Sequence, residues 1–175
     1  EPASSLHIGS GDFDMFFGAN GIFENGLNQP GVPGSSLAGV FIATLRDVVA
    51  DIEKDPLFYR ITGDDGKEKK PASLLWFRSW YSDKAIKNLR DRLRIEPATR
   101  AAADEAKFAQ WEIAPHELKI KVVIGVEDRG LGIDDLGKIR HWIDAVAWSW
   151  KTEGVALGAF SAAGLGWCRL TENGL

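Results

Sequence analysis

The stretch Val32-Pro33-Gly34-Ser35-Ser36-Leu37-Ala38-Gly39 decides how the first half of the chain folds. The proline and glycine at positions 33 and 34 exclude a helix interior there, and Ser35 or Ser36 can cap the helix that follows. Apolar side chains then recur at helical spacing, at Leu37, Val40, Phe41, Leu45, Val48 and Ile52. The sequence therefore predicts an amphipathic helix over residues 36–54, which Pro56 ends.

A second amphipathic helix is predicted over residues 134–151. Its apolar stripe consists of Leu136, Ile139, Ile143, Val146 and Trp150. Asp134 and Asp135 lie near its N-terminal end, where the helix dipole favours carboxylates. The two helices are the clearest elements of the sequence.

The remaining segments have the composition of strands and loops. Leu6 and Ile8 indicate the end of a short strand, and residues 64–70 fit a solvated hairpin or insertion. Residues 97–107 fit either a loop or a short helix. Further strands are predicted at residues 74–81 and 92–95, in a β-hairpin formed by 108–113 and 118–126, and in two short pieces within 155–170. This order predicts an α+β fold, a ferredoxin-like antiparallel sheet covered by two helices on one face.

Composition limits the classes of function. The 175 residues are 45% hydrophobic and 26% charged, which suits a single domain over residues 1–175. With 21 Lys and Arg against 25 Asp and Glu, the formal net charge is −4, so any contact with nucleic acid must be local. The one cysteine, Cys168, excludes an internal disulfide and favours a reducing, cytoplasmic setting. No apolar run reaches the roughly 18 residues of a membrane-spanning helix.

Two backbone elements are candidates for binding an anion. At the start of the first predicted helix, the N–H groups of Gly34, Ser35 and Ser36 can point toward a phosphate, although an ordinary capped helix explains the same residues. In the loop from Gly158 to Gly166, glycines allow the positive φ values of an anion nest, and a tight hairpin turn is the alternative. This loop lacks the Gly-Lys-Ser/Thr of a P-loop and precedes a strand, unlike the dinucleotide-binding fingerprint.

The titratable residues form no recognisable catalytic motif. Asp12 and Asp14 can converge on a hard cation, but a solvated loop explains them as well. His7 is predicted to be a strand residue, and His116 and His141 are isolated in the sequence, so no nucleophilic triad is predicted. The seven tryptophans fit either base stacking or a hydrophobic core.

Taken in order, these motifs resemble the RAMP superfamily, specifically the backbone subunits of type III CRISPR effector complexes. The opening Leu6-His7-Ile8-Gly9-Ser10-Gly11 is similar to the family's Leu-His-Ile-Gly-x-Gly, and Val32-Pro33-Gly34-Ser35-Ser36-Leu37 is similar to its Ile-Pro-Gly-Ser-Ser-Leu. Residues 158–166 resemble its C-terminal glycine-rich loop. A weaker similarity links Arg92-Leu93-Arg94-Ile95-Glu96-Pro97-Ala98-Thr99, with Glu112 downstream, to its Arg-Ile-Asp-x-x-Thr segment and later Glu.

The resemblance implies an RNA-recognition-like fold with a protruding hairpin thumb and loop insertions. It also implies that the motif turns grip the backbone of a guide RNA, while the thumb separates guide–target base pairs. The expected partners are guide (CRISPR) RNA, target RNA and other subunits of a multi-subunit effector complex. The residues expected to bind RNA are Gly34, Ser35, Ser36, Arg46, Gly158, Gly164, Gly166 and Arg169.

The chain departs from the family pattern where positive charge is expected. Basic residues are usual at the positions of Ala38, of Phe41 or Ile42, and of Ala162 and Ala163. Their absence weakens direct pairing with phosphates. The candidate substitutes are Arg46, Lys119, Lys121 and Arg169, and surface solubility explains each of them equally well.

A further departure concerns cleavage. In catalytic members, an aspartate before the Pro-Gly-Ser-Ser turn is required for metal-dependent cleavage of target RNA, and Asn20 or Gly21 stands at that position here. The resemblance therefore predicts a non-cleaving subunit without a cofactor. Two alternatives stay open: a magnesium-dependent endoribonuclease that uses Asp14 or Glu24, and a protein-interaction cap that has lost RNA contact.

The start of the sequence also bears on the fold. It begins where the family's first strand should already be under way. We therefore expect a sheet that lacks part of that strand, with its free edge covered by a neighbouring subunit.

Overall fold

The computed structural model describes residues 1–63, 72–95, 98–100, 102–116 and 118–171. The helices are α1 (Gly34–Val48), α2 (Pro56–Thr62) and α3 (Ile133–Thr152). The strands are β1 (Gly9–Asp14), β2 (Ala19–Ile22), β3 (Gly31–Val32), β4 (Leu75–Phe77), β5 (Trp80–Tyr81), β6 (Lys87–Ile95), β7 (Ala102–Ile113), β8 (Ile124–Val126), β9 (Val155–Ala156) and β10 (Trp167–Cys168). The predicted insertion at residues 64–70 lies outside the described residues. The fold is α+β, as predicted, and its strand pairs are antiparallel except for that of β2 with β7.

The first predicted helix is shorter in the structure, whereas the second, predicted over residues 134–151, matches α3. α1 ends at Val48, where the prediction continued to residue 54, because Asp51 adopts a left-handed conformation with φ 56°. A short 3₁₀ turn follows, and Pro56 then begins α2 instead of ending a helix. The Asp55 side chain caps α2 by accepting the Leu57 N–H, and proline suits the first helical position because its missing N–H has no role there.

The largest sheet contains four strands in the order β1-β2-β7-β6. β6 and β7 form a long antiparallel hairpin, in which Arg90 lies opposite Gln110 and Arg92 opposite Phe108. β2 runs parallel to β7, with Asn20 beside Gln110, and antiparallel to β1. The other pairs, β3 with β5, β4 with β8 and β9 with β10, are antiparallel.

The predicted hairpin of residues 108–113 and 118–126 is wrong. Residues 108–113 pair with β6, whereas β8 pairs with β4, with Leu75 opposite Val126. Residues 102–107 were predicted as a loop or a short helix. They instead extend β7, because β6 is long enough to pair with them, with Ile95 of β6 opposite Ala102.

Two other strand predictions have wrong bounds. Residues 74–81 form two strands, since the segment pairs first with β8 and then, beyond a break at Arg78 and Ser79, with β3. β6 begins at Lys87, well before the predicted start at residue 92.

The segment of residues 1–8 runs between the C-terminal loop and β7. On one side, the N–H groups of Ala159 and Gly166 donate to the carbonyls of His7 and Ser5. On the other side, Leu6 exchanges two backbone hydrogen bonds with Ile113. The segment thus has backbone partners on both sides.

The buried apolar residues form two clusters. The helix-side cluster joins α1, α2 and α3 to β4, with Phe41, Phe58, Ile139 and Trp150 among its members. The strand-side cluster contains Leu6, Ile8, Ile22, Val32, Leu37, Ile113, Leu118, Leu157 and Cys168. Trp142 and Trp150 are buried, as expected if the tryptophans belong to the hydrophobic core, whereas Trp76, Trp148 and Trp167 are exposed. Within the described part of the chain, no helix is both long and apolar enough to cross a membrane.

Candidate RNA-binding surface

The turn before α1 is built by close packing against the end of β4 and the residues that follow it. A Cβ atom on Gly34 would lie 2.0 Å from the Phe77 carbonyl oxygen, so only glycine fits at this position. The Gly34 N–H donates to the Ser79 hydroxyl at 3.0 Å, and the Pro33 carbonyl accepts from Ser36 and Leu37. The fold therefore uses Gly34 structurally and leaves Ser35 exposed at the first turn of the helix.

The electrostatics of this helix end favour an anion. Pro33 occupies the N-cap position and supplies no side-chain cap, and the first turn contains no acidic residue. The positive end of the α1 dipole is thus not neutralised by a carboxylate of the first turn. A phosphate near Ser35 would meet both that dipole and the serine hydroxyl.

A cleft of about 270 Å³ adjoins this turn. Its walls include Ala38, where the resemblance leads us to expect a basic residue, and Ile42, which together with Phe41 is a candidate for the second basic position. Two hydroxyls in its lining are engaged, because Thr62 donates to the Phe58 carbonyl at 3.0 Å and Ser73 donates to the Leu75 carbonyl at 2.8 Å. No charged side chain lines the cleft within the described residues, so it offers a phosphate no direct ion pair.

Arg46 lies at the other end of α1. Eleven residues separate it from Ser35, which corresponds to about 16 Å along the helix axis. Its Nε pairs with Glu53 Oε1 at 2.8 Å, and its guanidinium lies 5.4 Å from the centre of the Phe58 ring. The structure therefore does not bring Arg46 together with Ser35.

The glycine loop packs tightly on the chain itself at two of its three predicted positions. Gly158 has φ +89°, and a Cβ there would lie 2.4 Å from the His7 carbonyl oxygen. Gly166 has φ +75°, and a Cβ there would lie 2.0 Å from the Leu157 carbonyl oxygen. Gly164 has φ +81° with nothing within 4 Å of an added Cβ. Only Gly164 thus leaves its Cα side open for another molecule.

The other predicted basic residues are exposed. Lys119 and Lys121 alternate with Leu118 and Ile120, which belong to or pack against the strand-side cluster. Arg169 is held through its backbone, because its N–H donates to the Glu1 carbonyl. The two motif turns adjoin the same cluster, since Val32 and Leu37 flank one turn and Leu157 precedes the other.

A scan against protein-family profiles matches residues 2–169 to the RAMP superfamily. The chain belongs to the RAMP superfamily.

Solved structures support the fold of this RAMP chain. One similar chain comes from the cryo-EM structure of the type III-B Cmr-beta complex in the apo state, at 13% identity and a TM-score of 0.64, with 96% of this chain and 93% of that chain covered. Another comes from type III-B Cmr-beta bound to cognate target RNA, at 14% identity and a TM-score of 0.65, with 94% and 92% covered. A search of curated proteins found no match.

The carboxylates proposed as replacements for a catalytic aspartate are engaged in this RAMP chain. Asp14 accepts the N–H groups of Phe16 and Phe17 at 3.0 and 3.2 Å and the indole N–H of Trp111 at 3.2 Å. Glu24 accepts from Lys87 Nζ at 2.7 Å. Over the described ranges, no three His, Cys, Asp or Glu side chains converge on a common point. These residues do not fit a magnesium site.

Two of the three histidines lie in different parts of the fold. His7 is buried, and its Nδ1–H donates to the Trp111 carbonyl at 2.7 Å. His141 is exposed on α3.

Sequence reasoning missed one cluster, on β6 and β7 of this RAMP chain. The buried Glu112 accepts from Arg92 Nε at 3.1 Å and from Gln110 Nε2 at 2.8 Å, and its second oxygen lies 3.4 Å from Arg90 Nε. The resemblance singled out Arg92 and Glu112 without pairing them. The available signal was the alternation of Arg90 with Arg92 and of Gln110 with Glu112, which places all four on one face if the two strands pair.

Proposed function

We propose that this chain is an RNA-binding subunit of a type III RNA-guided effector complex and that it grips the backbone of the guide RNA. Membership of the RAMP superfamily supports this proposal, as does the similarity in fold to chains of the Cmr-beta complex, which has been solved in the apo state and bound to cognate target RNA. The observation that carries it is the start of α1, where an exposed serine stands at a helix end without a first-turn carboxylate.

The chemistry of the grip follows from the turn and the loop. The α1 dipole and the Ser35 hydroxyl bind a phosphate, and Gly164 lets the RNA backbone approach the glycine loop. Such contacts position RNA without reading its bases, so guide–target pairing supplies the sequence specificity. Because the cleft beside Ser35 is uncharged, this phosphate contact is weaker than one made by Lys or Arg.

Native purification tests the proposal. The complex is purified through a tag on this chain from cells that make its natural partners, and the bound RNA is sequenced. We expect discrete guide-length RNAs that share a repeat-derived tag. A preparation free of nucleic acid contradicts RNA binding and favours the protein-interaction cap.

A charge substitution locates the contact. Ser35→Asp places a carboxylate where the phosphate is proposed, so the amount of RNA that co-purifies should fall. Ala43→Asp adds the same charge at an exposed position about 12 Å further along the same helix, and it should leave the RNA content unchanged. Equal losses from both variants would show that the α1 turn is not a specific phosphate site.

The proposed function includes no cleavage step. Asn20 has no negative charge for a divalent cation, and Asp14 and Glu24 are held by donors within the chain. Magnesium-dependent cleavage of target RNA by the assembled complex, abolished by Asp14→Ala or Glu24→Ala, would establish the endoribonuclease alternative instead.

The turn between β1 and β2 favours a second role, contact with a neighbouring protein subunit. Met15 and Phe16 are 89% and 88% exposed there, and Phe13 and Phe17 are also exposed. Exposed apolar groups of this size mark interaction sites in soluble proteins. Binding through this turn should be nearly indifferent to salt, whereas RNA binding through phosphates weakens steeply as salt rises.

A further inference from the structure

One face of the four-stranded sheet carries most of the buried polar side chains of the described chain. Strand register places Asn20, Arg90, Arg92, Phe108, Gln110 and Glu112 on this face. Leu6 pairs with Ile113, so His7 lies beside Glu112 on the same face. The opposite face carries Ile113, which packs with Leu37 of α1 in the strand-side cluster. The polar face therefore lies on the side of the sheet away from α1.

The electrostatics of this face are positive. Two guanidinium groups, of Arg90 and Arg92, share the single carboxylate of Glu112, which gives the cluster a net charge of +1. The Arg90 side chain is 59% exposed, and an arginine has five N–H donors, of which the ion pair uses Nε. The cluster thus presents positive charge that Glu112 does not neutralise, at the surface of a protein whose net charge is negative.

Gln110 lacks a partner for one of its polar atoms. The side chain is 0% exposed, and its Nε2 donates to Glu112. Its Oε1 meets no hydrogen-bond donor among the described residues. A buried acceptor without a donor is costly, and such atoms in folded proteins call for a specific explanation. The interior of this polar face is thus incompletely satisfied by the described residues.

An aromatic pair borders the same face. The Phe160 ring, on the glycine loop, stacks on Phe108 with ring centres 6.0 Å apart and planes at 24°. His7 lies behind it, with ring centres 5.5 Å apart. Phe160 is 39% exposed, and its φ of 62° is uncommon for a residue with a bulky side chain. Phe108 in turn lies opposite Arg92 in the sheet.

We propose that this face is a second RNA-contact site, which binds one unpaired nucleotide with its base stacked on Phe160 and its phosphate on Arg90 and Arg92. An aromatic ring beside arginines is the arrangement that binds single-stranded RNA without selecting its sequence. This inference rests on the proposed function, because Phe160 belongs to the loop that is proposed to meet the guide RNA. It also identifies arginines near the glycine loop, where the basic side chains expected at positions 162 and 163 are missing.

The test uses short single-stranded RNA that carries the fluorescent base 2-aminopurine, titrated into the purified chain. Phe160→Leu keeps an apolar side chain but removes the ring, so the Kd should rise roughly 5- to 150-fold and the quenching of 2-aminopurine by stacking should be lost. Phe160→Tyr keeps the ring and should behave as the original chain does. Arg90→Gln should lower the slope of log K against log salt by about 0.7.

Arg140→Gln is the matched control, since it removes the same charge from an exposed position on α3 and should leave the slope unchanged. If Ser35→Asp weakens binding while Phe160→Leu and Arg90→Gln do not, the sheet-face site is refuted and the proposed function stands. If the original chain binds no RNA, both are refuted.

Discussion

Substitution of the loop glycines by alanine separates a structural requirement from an RNA-contact role. Gly158 and Gly164 both have positive φ, so alanine at either position costs about 1–2 kcal/mol of backbone strain. At Gly158 the new Cβ would also lie 2.4 Å from the His7 carbonyl oxygen and 2.6 Å from Ile8 Cδ1. The loop would have to move by about 1 Å to reach ordinary van der Waals contact near 3.4 Å.

That movement breaks the hydrogen bond from the Ala159 N–H to the His7 carbonyl, which is 2.9 Å long. The lost hydrogen bond adds about 0.5–1.5 kcal/mol, so Gly158→Ala should cost roughly 1.5–3.5 kcal/mol in all. Gly164→Ala should cost only the backbone strain, because its Cβ meets nothing within 4 Å.

The assay is thermal unfolding of the two variants beside the original chain. For a chain of this length, each kcal/mol corresponds to about 2–4 °C in Tm, so Gly158→Ala should unfold several degrees below Gly164→Ala. Gly164→Ala should lower the affinity for RNA although the chain still folds. Equal stabilities for the two variants would refute the close approach of the loop to residues 7 and 8.

Three other predictions follow from charge and burial. Ala38→Lys adds a cation to the wall of the uncharged cleft, so it should raise the affinity for RNA at low salt. The slope of log K against log salt should become steeper by about 0.7, and an unchanged slope would show that RNA does not pass the cleft. Asp55→Ala removes the α2 cap and should lower stability by about 1 kcal/mol at pH 7 in urea unfolding. The side-chain hydrogen bond from Lys138 and the backbone hydrogen bond from Leu57 hold the pKa of Asp55 below its usual 3.8. The ionic part of this contribution is therefore present well above that pH and is lost as pH falls through the lowered pKa, and a stability difference as large in strong acid as at pH 7 would contradict the assignment. Burial raises the pKa of the Cys168 thiol to about 11, so a thiol reagent at pH 8 should react only as fast as the chain unfolds, and rapid reaction in the folded chain would contradict its burial.

Local signals in the sequence were sufficient for α3 and for the start of α1. The Pro33-Gly34 turn fixes where α1 begins, and the apolar stripe of α3 continues without interruption to Trp150. The end of α1 was not predictable from periodicity, because Ile52 continues the apolar spacing although Asp51 has already left the helix. Tertiary packing decided that boundary, since Ile52 is buried in the helix-side cluster outside α1.

The β6–β7 hairpin was only partly predictable, because its pairing depends on contacts between residues distant in sequence. Arg90 and Gln110 are neighbours across the hairpin, yet the Ala-rich start of β7 has low strand propensity and suggests a loop or a helix. The candidate site was likewise predictable only in part. Motif order located the α1 turn and the glycine loop, whereas the Glu112 cluster became visible only once the strands were paired.

Cross-linking of RNA within the assembled complex tests the central claim most directly. The complex is irradiated with its natural guide RNA in place, and the cross-linked peptides of this chain are identified by mass spectrometry. The account predicts cross-links in peptides that contain residues 34–38 and 158–166. A guide RNA that is present in the complex but cross-links to neither segment would contradict the claim that these turns grip it.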